Sequence, residues 1–272
     1  MNTQKYLYIL SIVLFAFSSC EKVIDIDLND AAPKIVVEAQ ITNVKGFNLV
    51  SLSKTSSYYS NEPIERIVGA IVEVSDVLDN KYILKEIAPG MYNNKDFVLD
   101  SNSKYKLQIN TGAEIFESFS KPPSPVKIDS IRIEHSEFSP KNKGHNGSEE
   151  SQYKITTYFL DNANEVNFYR LKLNVNGEYL YGFYVVDDRV FSGKTIPYKF
   201  NNIILNDKDQ VNVELLGIDE ANYNYFYTLQ KLQGNGQDIT PGNPPSNIKG
   251  NAIGIFGAST LDKMNKVFSI DK

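Results

Sequence analysis

Short runs of β-branched and aromatic residues, in which apolar and polar side chains alternate, dominate the chain. Such runs predict β-strands that turn one face to a core, because successive side chains of a strand point to opposite faces. The runs cover residues 34–41, 48–53, 67–75, 81–86, 104–110, 114–120, 126–138, 152–160, 166–175, 178–186, 196–205, 210–218, 251–256 and 266–270. Strands this short and this closely spaced predict a mainly all-β protein of sandwich or barrel type.

A proline-rich stretch separates these runs into two groups. Its sequence is Lys-Pro-Pro-Ser-Pro at residues 121–125, and each proline fixes φ and biases the preceding residue away from helix. We therefore expect a stiff connector here between two β-sandwich-like domains, residues 34–121 and residues 126–272. The polar segment 139–151 predicts a mobile loop in the second domain.

One segment of the second domain has helical periodicity. Asp219 can cap a helix over residues 219–233, and Glu220 suits the positive end of the helix dipole. Gly234 and Gly236 would end this helix. The apolar face at helical spacing consists of Ala221, Tyr225, Leu229 and Leu232, with Phe226 beside it.

The N-terminus has the pattern of an export signal over residues 1–19. Lys5 is followed by an apolar run, residues 6–17, which is too short for the roughly 20 residues that cross a bilayer. Two serines then precede Cys20, which predicts cleavage and lipid attachment at that cysteine. An ordinary signal peptide with Cys20 present by chance is the alternative. It is disfavoured because Cys20 is the only cysteine in the chain.

Lipidation of Cys20 would hold the protein on a membrane, since two or three acyl chains give stable attachment where one does not. Residues 20–33 would then form a polar tether. The single cysteine leaves no disulfide to stabilise the fold. The formal net charge of −5 argues against a nucleic-acid partner, which would call for a basic surface.

No catalytic motif is evident in the sequence. The two histidines, His135 and His145, lack the ligand spacing of a zinc site, and we expect both to face solvent. No Gly-x-Ser-x-Gly motif is present. Acylation of Cys20 would exclude thiol catalysis. We therefore predict neither enzyme activity nor a cofactor.

Acidic clusters offer only weak calcium candidates. Asp25, Asp27 and Asn29 copy the start of a calcium loop, but Asp30 and Val36 stand where glycine and glutamate are needed. Two turns could also supply oxygen ligands, although acidic turns are usually only turns. Their residues are Asp161, Asn162, Asn164 and Glu165 in one, and Asp187 and Asp188 in the other.

Tyrosine and phenylalanine give the one suggestive surface signal. The chain has 17 Tyr and 15 Phe, and exposed tyrosines are good contact residues at interfaces. Tyr58 and Tyr59 lie in a polar loop and are candidate ligand or partner contacts. A second aromatic group, at residues 179–184, lies on one predicted β segment, although β-sandwich cores also use tyrosine heavily.

Several short motifs follow one another in a specific order along the chain. They are CEKVID at 20–25, IVVEA at 35–39, LSKT at 52–55, VGA at 68–70, VEV at 72–74, PGMY at 89–92, DS at 129–130, NFYR at 167–170, VEL at 213–215, NPPSNI at 243–248 and GIFGA at 254–258. Together they resemble the lipoprotein family of Bacteroidota known as domain of unknown function 4249.

The resemblance implies an outer-membrane lipoprotein that faces the cell exterior and is often encoded beside TonB-dependent receptors. It implies a first domain similar to the transthyretin-like accessory domain of carboxypeptidases, and it brings no catalytic residues. In the most distinctive motif, Asn243, Pro244, Pro245 and Asn247 are candidate contacts with a ligand or partner. The alternative is that asparagine and proline pin a turn between helix and strand.

The sequence thus favours a non-catalytic binding or accessory lipoprotein that works with a TonB-dependent receptor and takes an unidentified ligand. One alternative is a surface hydrolase whose carboxylate or metal site cannot be recognised in one sequence. Another is a structural or adhesive surface protein that has no receptor partner.

Overall fold

Fifteen β-strands and one α-helix form the part of the chain that the computed structural model describes, residues 32–56, 62–136, 152–233 and 242–270. The mainly β class with one helix is confirmed. The strands are β1 (Ile35–Thr42), β2 (Leu49–Lys54), β3 (Ile71–Ser75), β4 (Lys81–Ala88), β5 (Met91–Asn93), β6 (Tyr105–Asn110), β7 (Ile115–Ser120), β8 (Ile128–His135), β9 (Gln152–Leu160), β10 (Phe168–Val175), β11 (Glu178–Tyr179), β12 (Tyr184–Asp187), β13 (Thr195–Ile204), β14 (Gln210–Ile218) and β15 (Ala252–Val267), and the helix is α1 (Glu220–Gln233).

Several predicted features lie outside the described residues. They are the export signal 1–19, Cys20, nearly all of the tether 20–33, Tyr58, Tyr59, the loop 139–151 with His145, and Gly234 and Gly236.

The strands form two sheets. The larger has the order β11-β10-β14-β15-β1-β2-β5-β4-β3-β6-β7, with β12 also beside β10, and the smaller has the order β13-β9-β8. Strands from both sequence groups therefore share the larger sheet, and Pro33–Lys272 forms one compact unit.

The strand β15 joins the two groups. Its first half pairs in parallel with β1, and its second half pairs antiparallel with β14. The prediction of two separate strands, at 251–256 and 266–270, was wrong. The polar residues between them continue the ladder, since Lys263 pairs with Glu214 and the Asp262 carboxylate accepts the Ile128 N–H at 2.8 Å.

Two further predicted runs form different strands from those expected. The run 67–75 becomes a strand only at Ile71, because Gly69 has φ 70° and the Tyr92 hydroxyl bonds the backbone of Ile67 and Ala70. The run 178–186 divides into β11 and β12, which both pair with β10, and residues 180–183 bridge the two.

The predicted helix is present, but its apolar face was partly wrong. Asp219 caps it as expected, with the Asn222 N–H donating to Asp219 Oδ1 at 2.9 Å. Ala221 and Leu232 are exposed, and the buried side chains are Asn222, Tyr223 and Tyr225. The buried face of α1 is therefore rotated relative to the predicted one. Helical spacing alone could not show this, because the polar Asn222 is buried, where its side chain donates to the Phe256 carbonyl at 3.0 Å.

The hydrophobic side chains form two large clusters. One lies among β1 to β7 and includes Ile248 and Phe256, and the other lies between the smaller sheet and β10 and β14. Leu171 and Leu173 of β10 point into the second cluster. Because side chains alternate along a strand, the neighbouring Arg170 and Lys172 belong to the opposite face of the sheet.

Candidate functional site

A concave site lies on the face of the larger sheet that turns away from the second hydrophobic cluster. It has a main chamber of about 480 Å³ and a side chamber of about 200 Å³. Gln40, Leu49 and Arg170 line both chambers. We call the two chambers together the Arg170 groove.

The register of three strands places a row of charges along the main chamber. Lys172 of β10 lies opposite Glu214 of β14, which in turn lies opposite Lys263 of β15. The next row on the same face is Arg170 opposite Leu216, with Leu261 beyond it. Two cations and one carboxylate thus form a line across the sheet, with an arginine next to it.

The carboxylate of Glu214 is buried, and its close contacts are made by Oε1. Its Oε1 accepts a hydrogen bond of 2.8 Å from the Tyr179 hydroxyl and lies 3.2 Å from Lys263 Nζ. Its Oε2 lies 4.0 Å from Lys172 Nζ. Burial raises the pKa of Tyr179 to about 12, and the bond to Glu214 adds to this shift. The phenol therefore remains a donor at neutral pH.

The guanidinium of Arg170 has no polar partner among the described residues. Within the described part of the chain its side chain makes no hydrogen bond or ion pair, and its Nε is shut off from solvent without a partner. The guanidinium instead lies over the Phe226 ring, 3.6 Å from the centroid. Burial lowers the pKa of Arg170 to about 10, a shift that the negative charges of Glu38 and Glu214 partly oppose.

Lys172 is held only weakly by its neighbours. Its Nζ donates a long hydrogen bond of 3.4 Å to Gln40 Oε1, besides the 4.0 Å contact with Glu214. Burial lowers the pKa of Lys172 to about 8, and the positive charge of Arg170 adds to the effect. The main chamber therefore contains two under-compensated cations side by side.

A short loop between β1 and β2 forms the apolar rim of the main chamber. Asn48 fixes this loop, because its side chain accepts the Thr42 N–H at 2.7 Å and donates to the Phe97 carbonyl at 2.6 Å. Phe47 and Leu49 remain partly exposed beside the opening. The Phe47 ring lies 2.9 Å from Lys263 Nζ, measured to the centroid.

The aromatic segment 179–184 borders both chambers. A two-residue turn at Asn176 and Gly177, with φ of 53° and 94°, folds β11 back onto β10. Tyr179, Leu180 and Gly182 then line the main chamber. Phe183 lines the side chamber and stacks on Phe226, with centroids 5.9 Å apart.

A family profile matches most of the chain. The profile of the family described as Domain of unknown function (DUF4249) matches residues 21–264. The chain belongs to this family. No curated protein matches the DUF4249 chain. All residues that line the Arg170 groove, and Lys263 beside it, fall within the DUF4249 match.

The predicted contact residues of the DUF4249 chain that the structure describes are not among the residues that line the groove. Asn243 and Pro245 are exposed, and Pro244 is half-buried. The Asn247 side chain accepts the Phe256 N–H at 2.9 Å and donates to the Phe256 carbonyl at 2.8 Å. Asn247 thus fastens its loop to β15. This is the kind of contact that the alternative reading of the motif, a pinned turn between helix and strand, calls for.

In the acidic turns of the DUF4249 chain, the carboxylates of Asp161 and Asp188 accept hydrogen bonds from backbone and side-chain groups of the protein itself. Asp161 accepts the Tyr169 hydroxyl at 2.6 Å and the Gly193 N–H at 2.8 Å. Asp188 accepts the Asn167 N–H at 2.9 Å. Among the described residues, no three or more His, Cys, Asp or Glu side chains are grouped to hold a metal ion.

His135 of the DUF4249 chain is exposed, as expected, and its ring lies against Tyr153 at 5.5 Å. Within the four described ranges, no helix is long and apolar enough to cross a membrane.

Sequence reasoning about this DUF4249 chain missed Arg170, Lys172 and Glu214 as site residues. The available signal was their alternation with leucine and valine in the middle of strands, which normally indicates a solvated face. Arg170 and Glu214 also fall within two motifs that carried the family resemblance, residues 167–170 and 213–215.

Proposed function

We propose that this DUF4249 protein is a non-catalytic binding protein of the outer membrane. It is anchored through a lipid on Cys20, faces the cell exterior and works as an accessory subunit of a TonB-dependent uptake receptor. The observation that carries the binding role is the Arg170 groove, whose volume falls in the usual range of small-ligand sites.

The charges of the groove support binding over hydrolysis. Glu214 is the carboxylate of the main chamber, and Tyr179, Lys172 and Lys263 all compete for its oxygens. A carboxylate held in this way is poorly placed to abstract or deliver a proton. Arg170 and Lys172, in contrast, have unused capacity to hold a ligand.

The N-terminal sequence supports the membrane anchor. The family match begins at Glu21, directly after the predicted lipidation site at Cys20. A tether over residues 20–33 spans at most about 45 Å when fully extended. This reach allows the folded part to contact a receptor in the same membrane.

Co-purification from detergent-solubilised outer membranes tests the receptor role. We expect the tagged full-length chain to recover a TonB-dependent receptor, and the Cys20→Ala variant to recover much less because it lacks the anchor. Lys231→Met, on the exposed side of α1, is a matched control that keeps the anchor. Recovery of no receptor by the wild-type chain, in conditions that retain known receptor–lipoprotein pairs, would contradict the proposal.

Mass spectrometry of the purified protein tests the anchor separately. An N-terminal peptide that begins at an acylated Cys20 is the expected result. A mature chain that begins at another residue, or an unmodified Cys20, would overturn the lipoprotein assignment.

A further inference from the structure

The main chamber of the Arg170 groove is lined by two cations, Arg170 and Lys172, and by one carboxylate, Glu214. Lys263 lies beside this chamber and contacts the same buried carboxylate, with its Nζ 3.2 Å from Glu214 Oε1. Glu38 lines only the side chamber and makes no ion pair with Arg170 in the described chain, although its negative charge partly offsets the burial of the guanidinium. Burying a cation without a partner is costly, so an excess of this kind favours an incoming negative charge.

The guanidinium of Arg170 is positioned to receive an anion. Phe226 supports one face of it, and only Nε is closed to solvent. The terminal nitrogens have no hydrogen-bond partner in the described chain and remain open to the two chambers that Arg170 lines. A planar arginine fork of this kind matches the two oxygens of a carboxylate.

The rest of the main chamber is mostly apolar. Its apolar lining residues are Phe47, Leu49, Leu180, Leu216 and Leu261. Leu216 and Leu261 are buried, whereas Phe47 and Leu49 lie at the opening. A bare inorganic anion would leave this surface uncovered, while a ligand with an apolar body would remove it from water.

We propose that the main chamber binds a small organic acid, with the carboxylate on Arg170 and Lys172 and an apolar body against Phe47, Leu49 and Leu261. This inference rests on the binding role proposed above and names the chemical class of the ligand. Gln40, which lines both chambers, accepts the long hydrogen bond of 3.4 Å from Lys172 Nζ.

Isothermal titration of the full-length chain in detergent tests the inference with three probes. The probes are 3-phenylpropionate, its neutral isostere 3-phenylpropanamide, and inorganic phosphate. We expect the carboxylate to bind at least about tenfold more tightly than the amide and than phosphate. Equal affinity for the amide would overturn the role of the cations, and equal affinity for phosphate would overturn the role of the apolar body.

Arg170→Met removes the charge and keeps an unbranched apolar side chain next to Phe226. We expect this variant to lose at least about tenfold in affinity for 3-phenylpropionate. Arg132→Met is the matched control, because Arg132 also lies on a strand over an aromatic ring, Tyr158, but does not line the groove. Equal affinities of the two variants would overturn the inference.

A second variant keeps the test decisive if Arg170→Met does not fold. Leu49 lines both chambers and is 38% exposed, so Leu49→Trp can add bulk at the opening without entering a packed core. We expect it to weaken binding of 3-phenylpropionate, and unchanged binding would contradict the location. Receptor recovery with no binding of the acid, even at millimolar concentration, would reject this inference and leave the proposed accessory role intact.

Discussion

The side chains of Asn222 and Asn247 donate hydrogen bonds to the same backbone carbonyl, that of Phe256, at 3.0 and 2.8 Å. Asn222 belongs to α1 and Asn247 to the loop before β15. The shared carbonyl therefore fastens helix, loop and strand at one point. Gly257 allows this approach, because a Cβ at that position would collide with the Asn222 amide.

Replacement of Asn247 should affect stability and leave ligand binding unchanged. Asn247→Ala removes both hydrogen bonds to Phe256 and leaves the Phe256 N–H without a partner, so we expect a loss of about 2 kcal/mol in the free energy of unfolding. Denaturant unfolding measures it, with the exposed Asn243→Ala as control. Comparable stability of the two variants would show that the two hydrogen bonds between Asn247 and Phe256 contribute little.

Replacement of Arg170 should stabilise the fold while it weakens binding. The partly buried guanidinium has no hydrogen-bond or ion-pair partner in the described chain, so Arg170→Met removes a desolvation cost and we expect a gain of about 1 kcal/mol. Thermal unfolding without ligand, compared with Arg132→Met, measures the effect. A clear loss of stability would indicate that the contact with Phe226 outweighs the cost of burial.

Binding of 3-phenylpropionate should weaken as the pH rises through about 8, the pKa of Lys172 in the folded protein. Deprotonation of Lys172 removes one of the two cations that face the acid, so we expect a several-fold loss of affinity. Titrations between pH 6 and pH 9 measure it. Lys172→Gln should bind weakly and lose this dependence, and a pH dependence that persists in the variant would assign it to another group.

The same lysine should influence stability with the opposite trend. The pKa of Lys172 is about 8 in the folded protein and close to the ordinary lysine value of 10.5 in the unfolded chain. Between these two values the unfolded chain binds the proton and the folded protein does not, so this group makes stability rise with pH. A stability that falls between pH 8 and pH 10.5 in the wild-type chain, but not in Lys172→Gln, would contradict the lowered pKa of Lys172.

The buried hydrogen bond between Tyr169 and Asp161 should stabilise the fold at the second hydrophobic cluster. Burial and the bond to Asp161 both raise the pKa of Tyr169, which keeps its hydroxyl a donor. Tyr169→Phe leaves Asp161 Oδ1 without that donor, and we expect a loss of about 2 kcal/mol in unfolding free energy. Tyr181→Phe, at a tyrosine that is 86% exposed, should change stability little in the same measurement.

Period-two alternation predicted most strands because it reports local burial. At residues 168–175 the same alternation puts Arg170 and Lys172 on one face and Leu171 and Leu173 on the other, as the structure shows, although no sequence prediction used it. It could not indicate what lies across from that face. Gln40, the partner of Lys172, is 132 positions away in the chain, and only the pairing of β15 with both β1 and β14 brings the two together.

The polar second half of β15 was missed for a related reason. Its charged residues look like a turn until their partners on β14 and β8 are known. The start of α1 was easier to predict, because a helix cap is a local interaction. Asp219 accepts a hydrogen bond from a backbone N–H only three residues away.

The parallel pairing of β1 with β15 has a mechanical consequence. Eight consecutive residue pairs, from Ile35 with Ala252 to Thr42 with Ser259, connect these strands, and β2 pairs with the other edge of β1. A pull on Ile35 from its N-terminal side acts along the strand and loads both rows of hydrogen bonds in shear. Those bonds must then fail together and not one after another, so the folded part resists extension from that end.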